Sequence, residues 1–248
     1  MATFNGTLTK APVREALIDI QFEQQIPNDV IHTFNELAQT RFDSSTPLWQ
    51  TFFGISLTPD GPDHNPPSKT AIGVRLEKKS PPHVLQCRTH GFTFSRLPPY
   101  DSWDDLRMAA KAEWDQFVEL APNLTINRIA VRYINELKIP LPFKDFTEYL
   151  SCPPEVPDGL PQAVSSFLQR VVIPDPVNNC TSIITQALND AGVTPETITV
   201  LLDIDVFRTL VVDSTNSELI WNGLGELRKI KNDMFFGHIT DEMVERIK

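Results

Sequence analysis

Between Pro12 and Phe22 the residues Ala16, Ile18, Ile20 and Phe22 recur at period two, with Glu15, Asp19 and Gln21 between them. That alternation predicts a strand buried on one face. Beyond Pro27, the residues Val30, Ile31, Phe34, Leu37 and Ala38 repeat at helical spacing to about Arg41, with Asn28 or Asp29 placed to cap the first amides. Three strands are expected next, at Phe52 to Leu57, Ala71 to Lys78 and Val84 to Leu97. The proline-rich stretch from Pro59 to Pro67 reads as a loop, and Ser80-Pro81-Pro82 interrupts the pattern because proline brings no amide donor to a ladder. An antiparallel meander follows from that punctuation. After Pro98-Pro99, Asp101 is placed to cap a helix that carries Trp103, Leu106, Ala110, Trp114, Phe117 and Leu120 on one stripe.

The pattern then starts again. Ile129, Val131, Tyr133, Leu137 and Ile139 share one strand face, while Arg128, Arg132 and Glu136 share the other. A short helix is expected from Phe143 to Leu150, then strands at Phe167 to Ile173, Thr181 to Ala187 and Thr197 to Leu210. A long helix opens at Asn216 or Ser217 with Ile220, Leu224, Leu227, Lys231 and Met234, and Gly237 is suited to end it in the left-handed conformation. A final turn or two is expected from Thr240 to Ile247.

Two tandem halves, 1–122 and 123–248, therefore each read β-α-β-β-β-α, and Trp103, Leu106 and Phe117 match Trp221, Leu224 and Phe235 at constant offset. The expected fold class is α+β, one compact unit with a pseudo-symmetric antiparallel sheet covered by helices. Such a plan resembles the TATA-binding-protein saddle or the helix-grip folds, a likeness of fold that carries no function.

Composition narrows the function classes. Hydrophobic residues make up 41% and charged residues 22% of the 248, which places the chain among folded globular proteins. The net charge of −10 repels phosphate backbones and anionic membranes, and no basic stripe offsets it, so nucleic acid is not an expected partner. The three cysteines, Cys87, Cys152 and Cys180, are too few and odd in number for a disulfide framework, which points to the cytoplasm. No stretch approaches the ~20 apolar residues of a membrane span, and Met1 to Gly6 lacks the basic and apolar regions of an export signal.

Motifs with chemistry are sparse. His83-x-x-x-Cys87-x-x-His90 offers zinc-type ligands, but on a strand His90 points away from the other two, so no metal is expected. Asp203 and Asp205 project from one strand face about 7 Å apart, a spacing that fits either magnesium or a solvated sheet face; Val200, Leu202, Ile204 and Val206 pointing inward favour the latter. Gly223-Leu224-Gly225 lacks the entering strand and third glycine of a dinucleotide fingerprint and reads as a close helix-sheet contact. No catalytic residue and no cofactor can be nominated. Arg128 and Arg132 on the strand, with Arg228, Lys229 and Lys231 on the last long helix, could form an anion site if helix and strand pack together; otherwise they bridge to Glu15, Asp19, Glu136 or Glu226.

Three segments carry a family resemblance: Ala11-Pro12-Val13-Arg14-Glu15-Ala16, Arg132-Tyr133-Ile134-Asn135, and the run from Leu227 to Thr240 that contains Arg228, Lys231-Asn232 and Phe235-Phe236. Together they resemble a sporadically distributed bacterial family of conserved hypothetical proteins of about this length. The resemblance implies no assigned catalytic residues, and its patchy distribution is similar to that of mobile or defence-associated genes. On these residues the candidate ligand-binding set is Glu15, Arg132, Asn135, Arg228, Lys231 and Asn232, expected to meet where the halves join. The leading expectation is a non-enzymatic adaptor that recognises another protein, in bacterial defence or toxin neutralisation. The alternative is a small-molecule or nucleotide binder with an anion site at the junction; a homodimer is compatible with either.

Overall fold

The computed structural model describes residues 8–58, 61–188 and 192–248, with 53–58 and 61–67 as backbone alone. In chain order the elements are β1 (Val13–Phe22), α1 (Asn28–Ala38), β2 (Ser44–Thr58), β3 (Gly61–Lys79), β4 (Pro82–Arg88), β5 (Gly91–Arg96), α2 (Trp103–Leu120), β6 (Thr125–Pro140), a 3-10 turn (Phe146–Glu148), β7 (Phe167–Asp175), β8 (Cys180–Leu188), β9 (Thr197–Asp213), α3 (Ser217–His238) and α4 (Asp241–Ile247). The strands form one open antiparallel sheet in the order β2-β3-β4-β5-β1-β6-β9-β8-β7. The fold is α+β, and no helix among the described residues is long and apolar enough to cross a membrane.

At the middle of the sheet β1 pairs with β6, with Ala16 opposite Tyr133 and Ile18 opposite Val131. Their apolar faces continue through Phe92 and Phe94 of β5 and through Val200, Leu202, Ile204 and Val206 of β9. Onto this face α2 lays Leu106, Ala110, Trp114 and Phe117, and α3 lays Ile220, Leu224, Leu227 and Phe235. An aromatic cluster ties α1, α2 and the sheet together: the Phe117 ring lies 5.6 Å from Phe34, 5.9 Å from Phe22 and 5.7 Å from Phe92. α3 runs so close over β6 that a Cβ on Gly223 would stand 2.8 Å from Ile129 Cδ1, which accounts for the glycine in Gly223-Leu224-Gly225. α4 adds Met243, Val244 and Ile247 to the same core.

Several expectations are corrected. The run from Val84 to Leu97 is two strands, since β4 and β5 fold back on each other with Arg88 opposite Gly91. Four strands therefore follow α1, and the first half is not β-α-β-β-β-α. The stretch expected as a loop up to Pro67 is strand from Gly61 onward, paired with β2 as far as Thr58; Pro59 and Asp60 lie outside the described residues. Between β6 and β7 there is only the 3-10 turn where a helix from Phe143 to Leu150 was expected, so the second half also departs from that plan. The segment is too short to repay helix nucleation, and Leu150 is drawn into a bridge with Ile239.

That bridge also ends α3. Gly237 remains helical, and the chain leaves the helix as Ile239 turns extended, with His238 O accepting from Ser151 N at 3.0 Å. Ser102, not Asp101, caps α2 by accepting from Asp105 N, while Asp101 pairs with Arg96. At α1 the N-cap is Pro27, and neither Asn28 nor Asp29 serves as the cap.

Candidate functional site

The sheet's two faces separate the charged residues by strand parity. On the face without α1, α2 and α3, Arg132 grips Asp203 through two bonds, Nε to Oδ1 at 2.8 Å and Nη2 to Oδ2 at 2.5 Å. Beside it Arg128 donates to both Asp19 and Asp205 at 2.9 Å, and Asp19 also receives Arg88 and Thr93. Arg88 of β4, Thr93 of β5, Asp19 of β1, Arg128 of β6 and Asp205 of β9 thus form one hydrogen-bonded row across the sheet. Asp203 and Asp205 serve as the anions of this lattice. Burial raises the Asp205 carboxyl, and the Arg128 and Arg132 charges oppose that rise.

On the helical face a cavity of about 250 Å³ opens between the segment entering β1, the approach to α2, and the last turns of α3. Arg228, Lys231, Asn232 and Phe235 line it because offsets of three, four and seven residues share one side of a helix. Tyr133 and Asn135 reach it from β6, two residues apart and therefore on the same strand face. Tyr100 enters from the loop between β5 and α2, its hydroxyl 2.7 Å from that of Tyr133 and the two rings set edge to face.

Lys231 is the chemical centre of the cavity. It is only 7% exposed, its Nζ sits 3.8 Å from the centroid of the Tyr133 ring, and it donates to Asn232 Oδ1 at 2.6 Å. Among the described residues no carboxylate pairs with it. Burial, and then the positive charge of Arg228, push its pKa down to about 7, so both amine and ammonium are populated at neutral pH. Arg228 is half-buried and makes no hydrogen bond or ion pair among the described residues. Asp101 also lines the cavity, but its carboxylate is engaged by Arg96. Burial raises the pKa of both Tyr100 and Tyr133, so both phenols stay protonated at neutral pH. Asn135 is buried and donates to the carbonyls of Leu202 at 3.0 Å and Tyr133 at 3.3 Å, within the pairing of β6 with β9.

Of the six residues nominated from sequence, Asn135, Arg228, Lys231 and Asn232 line this cavity, and Glu15 and Arg132 do not. Glu15 follows the bulge after Val13 and lies on the opposite face with Arg132, so the expected union of Arg128 and Arg132 with Arg228 and Lys231 does not form. Sequence reasoning passed over Tyr100, and it placed Tyr133 on a buried strand face and in the segment Arg132-Tyr133-Ile134-Asn135 without nominating it for the site. The one available signal was a tyrosine at a helix entry.

The other candidate cluster is dispersed. Cys87 is buried and its thiol is pushed up to about 12, whereas His90 is exposed in the turn between β4 and β5. His83 packs on Phe94 and lies 3.0 Å from Arg96 Nη1; burial, then the Arg96 charge, lower its pKa to about 4. Among the described residues no three His, Cys, Asp or Glu side chains are grouped to hold a metal. Compared with known proteins, the chain matches no protein-family model and no curated protein.

Proposed function

We propose that this chain binds a small organic anion in the cavity beneath α3. The observation that carries the reading is the pair Arg228 and Lys231, which share one small cavity with no free carboxylate among the described residues to balance them, in a chain whose net charge is −10. Two like charges held together without a counter-ion oppose each other, and an anion entering between them removes that cost while gaining charge-assisted hydrogen bonds. Arg228 provides a planar fork for a carboxylate or phosphate, and Lys231 a point charge. Thermal-shift measurements with small carboxylates and phosphates test this: a ligand at 100 times its Kd adds about 2.7 kcal/mol. The shift is expected to vanish in Arg228→Gln and to weaken in Lys231→Met. If no anion at millimolar concentration moves the melting temperature, the reading fails.

Related proposals concern ancestry. We infer tandem halves, 1–122 and 123–248, meeting at this cavity, in a saddle-like or helix-grip-like arrangement. In support, β1 and β6 are adjacent, the last strand of each half lies next to its first strand, and a long helix follows each last strand. Membership of the bacterial family suggested by the three sequence segments, and a cytoplasmic location, belong to the same reading; the three cysteines are free.

A second reading, an adaptor that recognises another protein, is favoured by one observation. The sheet face without α1, α2 and α3 carries the arginine-aspartate lattice at its centre and exposes Leu168 and Val172 on the edge strand β7. Pull-down from a host lysate with Leu168→Asp as control tests it; equal recovery of every co-purifying protein by both forms would count against this face.

A further inference from the structure

We propose that Lys231 is an amine nucleophile that captures the carbonyl group of a small 2-oxo acid as an imine, with Arg228 holding the acid's carboxylate. This rests on the anion-site reading and goes beyond it by assigning a covalent step. A lysine becomes nucleophilic when it is desolvated or set beside another cation, and Lys231 meets both conditions: it is 7% exposed, with Arg228 one helical turn away. Its amine is also close to proton donors. Nζ lies over the face of Tyr133, whose hydroxyl is 2.7 Å from that of Tyr100, and both phenols remain protonated at neutral pH. The cavity of about 250 Å³ suits a molecule of a few heavy atoms, since a water occupies roughly 30 Å³ of liquid.

The step balances without an external co-reactant. The neutral Nζ lone pair forms a C–N bond to the carbonyl carbon while the C=O π pair moves to oxygen. That oxygen takes a proton from the tyrosine pair, and the new ammonium returns one to it. The carbinolamine nitrogen then expels hydroxide, which leaves as water with a second phenolic proton. The remaining N–H proton restores the phenol and leaves a neutral C=N bond. Hydrolysis reverses each transfer and frees the amine. Asn232, which accepts from Nζ at 2.6 Å, orients the lone pair.

The test is reductive trapping on the full chain with pyruvate, glyoxylate or uncharged propionaldehyde, each with cyanoborohydride, followed by peptide mapping. The adduct is expected on Lys231 and not on its exposed neighbour Lys229, faster at pH 8 than at pH 6. The preference for the two oxo acids over propionaldehyde, on the order of tenfold for one charge-assisted contact, should be lost in Arg228→Gln. Lys231→Met, with its cooperative melt checked separately, should not be labelled at this position. Failure of all three carbonyl compounds to modify Lys231, or labelling of Lys229 to the same extent, overturns the proposal. If pyruvate raises the melting temperature without trapping, the imine fails and the anion site stands; if neither pyruvate nor phosphate shifts it, both fail.

Discussion

Replacing Lys231 by methionine should make this protein more stable, by an amount that depends on pH. In the unfolded chain the lysine holds its proton to about pH 10.5, whereas in the fold it releases it near pH 7. The unfolded state therefore binds more protons between those limits, and the group's contribution to stability rises with pH across that window. Below pH 7 the native state bears the full cost of a buried ammonium; above about pH 10.5 it bears none. At about 1.36 kcal/mol per pKa unit, the full cost is roughly 5 kcal/mol, large against a typical domain stability of about 5–15 kcal/mol. Methionine preserves the unbranched stem and packs on the Tyr133 ring, while the bond to Asn232 is lost at a cost of about 1 kcal/mol. Lys231→Met should thus exceed the parent by roughly 3–4 kcal/mol at pH 6 and by about 1 kcal/mol at pH 9. Urea denaturation of both proteins at pH 6, 7.5 and 9, followed by fluorescence of the buried Trp114 and Trp221, measures the gap directly. A gap that is the same at all three pH values would refute the reasoning, because it would mean that Lys231 keeps an ordinary pKa in the folded protein.

The same titration predicts that a non-covalent anion binds more tightly below pH 7 than at pH 9, with proton uptake on binding near neutrality; calorimetry in buffers of different ionisation enthalpy detects the proton. Arg132→Ala should leave anion-induced thermal shifts intact and cost about 0–1 kcal/mol, because its side chain is 42% exposed and its partner Asp203 lies on the far face of the sheet from the cavity; a lost shift would place Arg132 in the site. Phe117→Ala should cost about 3–5 kcal/mol in chemical denaturation, since the ring is fully buried among Phe22, Phe34, Phe92 and Trp114. Gly223→Ala should destabilise the protein by about 1–3 kcal/mol through overpacking against Ile129, and Ile129→Val in the same chain should recover part of that loss; additive losses would disprove the contact.

The hydrophobic pattern by itself determined most elements of this protein and which side of each is buried. Period-two runs marked β1, β6 and β9, and apolar stripes marked α2 and α3, because strand and helix impose different repeats on residues that must leave water. Spacing along α3 likewise placed Arg228, Lys231 and Asn232 on one side of a helix. Only the tertiary structure decided what faces them. Arg132 and Tyr133 are neighbours in sequence, yet one is bound to Asp203 on the open face and the other lies beneath Lys231. The apolar partners of Tyr133 marked the side α3 would cover, but the resemblance to a family motif drew Arg132 into the same candidate site. Tyr100 reaches the cavity only because β5 pairs with β1 and β1 with β6, a strand order set by backbone hydrogen bonds between distant segments. The charge state of Lys231 is decided in the same way. Burial by the assembled sheet and helices is the larger cause of its lowered pKa, and only the smaller one, the charge of Arg228 one turn away on the same helix, is local in sequence.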